Sequence, residues 1–171
     1  MTTSTTTQNE VQVAKGTVVS LSAIDIERVR ERGIRAERKR ARICAHPSVT
    51  DPLHEMIICL DRSTYIRPHR HSGKSESFHI IEGELDVVLF EKNGEVREVI
   101  RMGPYQSRRT FFYRLMEPCF HTVLVRTPQV VFHETTNGPF DPADTEFAPW
   151  APSVSEEAEE FQHMLRLRTQ S

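Results

Sequence analysis

The middle of the chain is a series of short apolar segments separated by turn signals, which is the pattern of an antiparallel β-structure. Between residues 46 and 140, runs of Val, Ile, Leu and Phe alternate with Gly, Pro, Asn and Ser clusters. Asn93-Gly94 favours a tight hairpin between two such runs. The predicted strands are 55–60, 64–67, 77–81, 85–90, 96–100, 111–115, 121–125 and 130–133. Many short strands at regular spacing predict a mainly β, single-domain antiparallel jelly-roll barrel.

Two helices are predicted outside the barrel, one on each side of it. Ser22 is a candidate N-cap for a helix that begins near Ala23 and runs toward Lys39. A short C-terminal helix is predicted from about residue 155 to 168, after a Pro-rich stretch anchored by Trp150. The predicted organisation is a disordered polar tail (1–18), an N-terminal helical segment (19–45), the barrel (46–140) and a Pro/aromatic tail with the C-terminal helix (141–171).

Composition narrows the classes of partner. The net charge of −2 gives no global sign of nucleic-acid or membrane binding. The first residues have neither the basic nor the apolar region of a secretory signal, and no apolar run is long enough to span a bilayer. The three cysteines, Cys44, Cys59 and Cys119, contain no CxxC and predict free thiols. We therefore expect a cytoplasmic protein that binds a small molecule and has no nucleic-acid or membrane partner.

The segment around the first helix is dense in arginine. These arginines are Arg28, Arg30, Arg32, Arg35, Arg38, Arg40 and Arg42. Glutamates interleaved at helical spacing favour i,i+4 pairs on a solvated helix face. A nucleic-acid patch is disfavoured, because no aromatic stacking residues accompany the arginines. The remaining alternative is that one or two arginines fold back to the mouth of a site and bind an anionic ligand.

The candidate chemistry lies between residues 69 and 76. His69 and His71 are two residues apart, so on an extended strand both imidazoles project from the same face. Ser72-Gly73-Lys74 is a turn signal that can bring the carboxylate of Glu76 to the same side. Two imidazoles and a carboxylate suit one divalent ion of Fe, Mn, Ni or Zn. The alternative is a pair of surface histidines and a helix-capping Glu.

This stretch resembles the first signature motif of the cupin superfamily, His-x-His, four residues, Glu, six residues, Gly. His69, His71, Glu76 and Gly83 fall in register, while Ser63 stands where the motif usually opens with Gly. The resemblance implies a jelly-roll barrel with a divalent metal ion.

The second cupin motif supplies one more histidine from a late strand, and His121 holds that place. Its surroundings depart from the motif, since Met116, Pro118 and Val125 replace the usual Pro, Gly and Asn. The resemblance implies that His121 completes a ligand set with His69, His71 and Glu76. A hydrogen-bonded core histidine is the alternative, and Cys119 is a second-ranked candidate ligand.

A narrower resemblance covers about residues 40 to 152. Segments 65–71, 120–122, 138–140 and 147–152, together with Glu134, resemble the WbuC family of cupin-fold metalloproteins. That family is named from bacterial surface-polysaccharide gene clusters, and its reaction is not established. The resemblance implies the fold and the metal site more directly than the chemistry.

Three functions are consistent with these features. The first is a metal-binding cupin that binds or acts on a small polar molecule, with a carbohydrate-related molecule as the expectation. If it is an enzyme, it is expected to be a metal-dependent isomerase or an oxygenase. The second is a non-enzymatic metal-dependent sensor or binding module. The third is a metal-free sugar-nucleotide epimerase or isomerase. The candidate substrate-binding residues are Tyr65, Arg67, His79 and Glu134. A homodimer is expected, because cupins commonly pair through their sheets.

Overall fold

The computed structural model describes residues 10–153 and 156–169. Within these ranges, eleven strands form a six-stranded sheet in the order β1-β2-β3-β10-β5-β8 and a five-stranded sheet in the order β11-β4-β9-β6-β7. The strands are β1 (Val11–Val13), β2 (Arg40–Cys44), β3 (Leu53–Asp61), β4 (His69–His71), β5 (Glu76–Glu82), β6 (Leu85–Phe90), β7 (Val96–Met102), β8 (Phe112–Leu115), β9 (Phe120–Val125), β10 (Gln129–Asn137) and β11 (Thr145–Phe147). The helices are α1 (Ala23–Arg35) and α2 (Glu156–Arg168), with 3₁₀ turns at Tyr105–Ser107 and Pro142–Asp144. This arrangement confirms the predicted jelly roll with one helix on each side.

The main core lies between the two sheets. Phe78, Ile80 and Phe132 from the six-stranded sheet pack with Leu85 and Val87 from the five-stranded sheet. Each fully buried side chain of this type contributes about 1.5–3 kcal/mol. Side chains alternate across each strand, so the opposite faces of both sheets also need a cover.

The outer faces are covered by the two ends of the chain. Val29 of α1 packs with Ile43, Cys59 and Val131 on the six-stranded sheet. On the other side, Trp150 and Phe161 pack with Phe90 and Phe120 on the five-stranded sheet. The indole N–H of Trp150 also donates to the carbonyl of Lys92 at 3.1 Å. Both sheets are therefore buried on two faces, which explains why every residue of β6 and β9 is buried.

The N-terminal region differs from the sequence prediction. Residues 1–9 of the predicted disordered tail lie outside the described residues, but Val11–Val13 form strand β1, which pairs in parallel with β2. The predicted helix ends at Arg35, and residues 40–44 of the predicted helical segment form β2. The reason is visible in β2, where buried Ala41 and Ile43 alternate with Arg40 and Arg42 with a period of two. Arginines at the alternate positions hide this strand signal.

Gly83 forms the turn between β5 and β6. Its φ of +76° is a left-handed conformation, and a Cβ at this position would lie 2.3 Å from the carbonyl oxygen of Gln129. Only glycine fits both requirements. This turn returns the chain from β5 in one sheet to β6 in the other. Among the described residues, no helix is long and apolar enough to cross a membrane.

Candidate metal centre

Three histidines converge inside the sandwich. His69 and His71 project from the short strand β4, and His121 lies directly opposite His69 on the neighbouring strand β9. One ring nitrogen from each of the three lies within 4.8 Å of the others. The ring centroids are 4.6 Å apart for His69 and His121 and 4.8 Å apart for His69 and His71. This triad can hold a metal ion.

Each imidazole is held in place through its Nδ1 atom. The Nδ1 contacts are His69 to the Arg67 carbonyl (2.8 Å), His121 to the Cys119 carbonyl (2.8 Å) and His71 to the Thr145 hydroxyl (3.2 Å). A carbonyl oxygen only accepts hydrogen bonds, so the Nδ1 atoms of His69 and His121 must carry the proton and donate it. When these rings are neutral, the free lone pair is therefore on Nε2, the arrangement that metal-binding histidines use.

Glu76 adjoins the histidines from the other sheet. It is only 5% exposed, and its Oε1 lies 2.8 Å from Nε2 of His121 while its Oε2 lies 3.6 Å from Nε2 of His71. Among the described residues, Oε1 has no hydrogen-bond partner. Its contact with His121 is a charge pair only when that ring is protonated, and next to a neutral His121 the buried oxygen would lack a partner at a cost of about 1–3 kcal/mol. A cation beside the Nε2 atoms would remove this cost, so the donor set fits a divalent metal.

Burial sets the protonation of two of the rings. It lowers the pKa of His69 to about 4 and also lowers the pKa of His71, so both are neutral at pH 7. Burial also acts to lower the pKa of His121, but the negative charge of Glu76 outweighs it and leaves that pKa above its ordinary value. Before any ion binds, the positive charge of the site is therefore concentrated on His121, next to Glu76.

A cavity of about 340 Å³ opens onto the three histidines and Glu76. Apolar side chains from both sheets line part of it, including Ile58, Phe78 and Val123. The polar part of the lining includes Glu134 and the arginines of the segment around β2. This volume is in the range of small-ligand sites, so a molecule larger than water can reach the histidines.

Comparison with solved structures identifies the fold. Protein SO0799 from Shewanella oneidensis superposes with a TM-score of 0.51 at 12% sequence identity, covering 62% of this chain and 72% of its own. The chain has the cupin fold. At this identity the likeness shows the fold and says nothing of the activity.

Two longer proteins are similar over one part of their length. Capsular polysaccharide assembling protein CapF from Staphylococcus aureus gives a TM-score of 0.47 at 19% identity, covering 57% of this chain and 27% of its own. Oxalate decarboxylase from Bacillus subtilis gives 0.48 at 14% identity, covering 63% and 27%. The chain thus spans less than a third of the length of either protein.

Sequence comparison matches one part of the chain to a family model that has no assigned function. Residues 21–102 match the family described as Domain of unknown function (DUF6016). This range contains His69, His71 and Glu76 and ends before His121. No curated protein matches the sequence of this chain.

Two of the predicted substrate-binding residues hold the C-terminal segment instead. The hydroxyl of Tyr65 donates to the carbonyl of Pro152 at 2.9 Å, and Nε of Arg67 donates to the carbonyl of Ala151 at 3.1 Å. Neither side chain lines the cavity among the described residues. Both precede the short strand β4, and in this cupin fold they face the segment that covers the outer side of the sheet.

The other two predicted substrate-binding residues lie on opposite faces of their sheet. His79 is exposed and packs edge-on against Phe111, with ring centroids 5.7 Å apart. Glu134 lines the cavity, and burial raises its pKa to about 8. Of the four candidates, the structure therefore brings Glu134 to the histidines and leaves the other three outside the described cavity lining.

The second-ranked ligand, Cys119, has a different position. Its Sγ lies in the main core, 3.5 Å from the carbonyl oxygen of Phe120, and the structure does not bring it into the histidine group of the described residues. Its carbonyl instead orients His121. The sequence analysis missed this contact, because a backbone carbonyl leaves no mark in the residue pattern.

The sequence analysis kept the alternative that one or two arginines reach the mouth of a site, but it did not say which ones. Arg40 and Arg42 line the cavity together with Arg38, which precedes the strand. The period-two alternation of charged and apolar residues in Arg40–Cys44 is the signal that could have identified an inward-facing pair.

Proposed function

We propose that this protein binds one divalent metal ion through His69, His71, Glu76 and His121 and uses it to bind or transform a small polar molecule. One observation carries the proposal. Three imidazoles, two of them tethered by Nδ1 to backbone carbonyls, bring one ring nitrogen each within 4.8 Å of one another, and the buried carboxylate of Glu76 lies against Nε2 of His121 and His71.

The ligand set suits iron, manganese, nickel or zinc. When bound, such an ion supplies Lewis-acid activation of a coordinated oxygen. The chain itself supplies the orientation of the imidazoles, an apolar wall that excludes water, and the carboxyl group of Glu134 at the cavity surface. Glu134 is positioned to exchange a proton with a bound ligand, since its raised pKa lies near neutral pH.

The proposed ligand is carbohydrate-related, with vicinal oxygens that can chelate an ion. The support is the resemblance of segments 65–71, 120–122, 138–140 and 147–152 to the WbuC family, which is named from surface-polysaccharide gene clusters. The convergence of three histidines and a carboxylate favours this function over a metal-free epimerase. A homodimer and a cytoplasmic location stay predictions.

Elemental analysis of protein purified without a histidine tag tests the metal. We expect about one divalent ion per chain, as a single four-ligand site requires. Turnover or binding of a panel of sugars, measured with and without a chelator, then tests the small-molecule function. Metal-free protein that cannot be loaded with any of the four ions would contradict the proposal. Chelator-sensitive binding without turnover would assign a binding module instead of an enzyme.

A further inference from the structure

Strand β2 presents two arginines on its cavity-facing side, the half-buried Arg40 and the exposed Arg42. Ala41 and Ile43 face outward and pack under α1, so Arg40 and Arg42 project from the opposite face. The register confirms this direction, because Arg40 lies opposite Leu60 and Arg42 lies opposite Ile58, and both arginines and both apolar residues line the cavity. These are positions where a β-sandwich normally places apolar side chains.

Their neighbour Arg38 is already paired. Its guanidinium donates to the buried carboxylate of Glu10, with Nε 2.8 Å from Oε2. Among the described residues, neither Arg40 nor Arg42 has a side-chain hydrogen bond or an ion pair within 4.0 Å. Arg40 is half-buried, and this burial lowers its pKa. The negative charge of Glu10 acts on Arg40, but that carboxylate is already paired with Arg38. The half-buried guanidinium of Arg40 thus has no partner of its own, which is costly unless an anion occupies the cavity.

The charges around the cavity favour a negative ligand. Three carboxylates line it: Glu10, which Arg38 neutralises; Glu76, which adjoins the histidines; and Glu134. Three arginines and a divalent ion exceed these carboxylates by two positive charges. The positive charge of Arg42 acts on Glu134, but the two form no ion pair within 4.0 Å.

We infer that Arg40 and Arg42 form an anion subsite that binds the carboxylate or phosphate group of a small molecule. A guanidinium presents a planar fork of donors that matches both groups. The inference rests on the proposed function for the other end of the ligand, which would reach the ion across the same cavity. The substrate class is therefore an anionic polyol, such as a sugar acid or a sugar phosphate.

The test is calorimetric titration of the full-length protein with three probes: glycerate, glycerol 3-phosphate and uncharged glycerol. The variants are Arg40→Gln and Arg42→Gln, and the matched control is Arg97→Gln, an exposed strand arginine outside the described cavity lining. We expect each cavity variant to weaken binding of an anionic probe by about 10- to 100-fold, the effect of a lost charged hydrogen bond. The control should bind like the wild type. Preference for one anionic probe identifies the anion as carboxylate or phosphate.

Equal binding of an anionic probe by the wild type and both cavity variants would overturn the inference, as would the failure of the wild type to bind either anionic probe. Circular dichroism checks folding. If Arg40→Gln is misfolded, the variants of the exposed Arg42 decide the outcome. Arg42→Gln removes the positive charge, whereas Arg42→Lys keeps the charge but loses the planar fork of hydrogen-bond donors.

Metal content is measured in the same samples, so the two proposals fail separately. Loss of anion binding with an unchanged ion content supports the subsite. Protein that cannot be loaded with any ion contradicts the proposed function, and the comparison of arginine variants in that protein still tests the subsite.

Discussion

Nε2 of His121 lies 2.8 Å from Oε1 of Glu76, and this contact joins the two sheets of the sandwich. The two atoms are close enough for a hydrogen bond, yet Oε1 has no hydrogen-bond partner among the described residues. Nδ1 of the same ring already donates to the carbonyl of Cys119. When the ring is protonated, this contact is a charge pair with the carboxylate, and a divalent ion that takes the place of the Nε2 proton would have both atoms as ligands.

Replacing His71 with alanine should remove most of the bound metal. The substitution deletes one of three converging imidazoles, so we expect the metal affinity to fall by at least about 10-fold. That is the lower end of the loss when a residue that only orients a metal ligand is changed. Elemental analysis after dialysis measures the remaining ion. His79→Ala is the control, because His79 is exposed and lies outside the described cavity lining. Unchanged occupancy in the His71 variant would exclude this residue as a ligand.

Metal binding at neutral pH should release about one proton, and that proton should come from His121. Glu76 raises its pKa in the ion-free protein, against the effect of burial, so this ring holds a proton more readily than the other two and must lose it to coordinate. His69, with a pKa of about 4, and His71, whose pKa is also lowered, are neutral and should release none. Affinity should therefore rise with pH until the pH exceeds the pKa of His121.

Calorimetric titration with zinc in two buffers of different ionisation enthalpy measures this proton. The glutamine variant of Glu76 provides the comparison, because without the carboxylate the pKa of His121 should fall and fewer protons should be released. Proton release that is zero in the wild-type protein, with an affinity independent of pH between about 6 and 8, would contradict the assignment.

Gly83→Ala should destabilise the fold far more than Gly73→Ala. Both glycines have a positive φ, +76° and +68°, so each alanine pays for a left-handed backbone, about 1–2 kcal/mol. At Gly83 the new Cβ would also lie 2.3 Å from the carbonyl oxygen of Gln129, whereas at Gly73 nothing lies within 4 Å. We expect a loss of about 3 kcal/mol or more at position 83, measured by chemical denaturation. Equal losses at the two positions would show that the close contact is not maintained.

Trp150→Ala should loosen the C-terminal segment. The indole packs between Phe90 and Phe161 and covers the outer face of the five-stranded sheet. Large-to-small changes at packed aromatic residues cost about 3–5 kcal/mol, so we expect about 3 kcal/mol for this partly buried ring. Phe140→Ala is the control, since Phe140 is 57% exposed and should change stability by less than about 0.5 kcal/mol. Urea denaturation compares the two variants, and a similar small effect in both would contradict the anchoring role.

The sequence was most informative where a segment carries its own periodicity. β6 begins and ends at the predicted residues, and α1 begins at Ala23 as predicted. The predictions were least accurate for β1 and β2. Their pairing depends on the edge of a sheet formed by distant residues, and the arginines in β2 resembled a solvated helix face. Tyr65 and Arg67 were placed at the cavity because they are close to His69 in sequence, but they contact Pro152 and Ala151.

The spacing of His69, His71 and Glu76 was enough to predict a candidate ligand set, since these residues share one strand, one turn and the strand after it, and its resemblance to a cupin motif implied the barrel. Local patterns of this kind can be interpreted without knowing where the rest of the chain lies. The positions of His121 against His69, of Glu76 against His121, and of Arg40 and Arg42 inside the cavity could not be obtained in this way. They depend on strand register and on the packing of one sheet against the other, and both result from contacts between segments far apart in the chain.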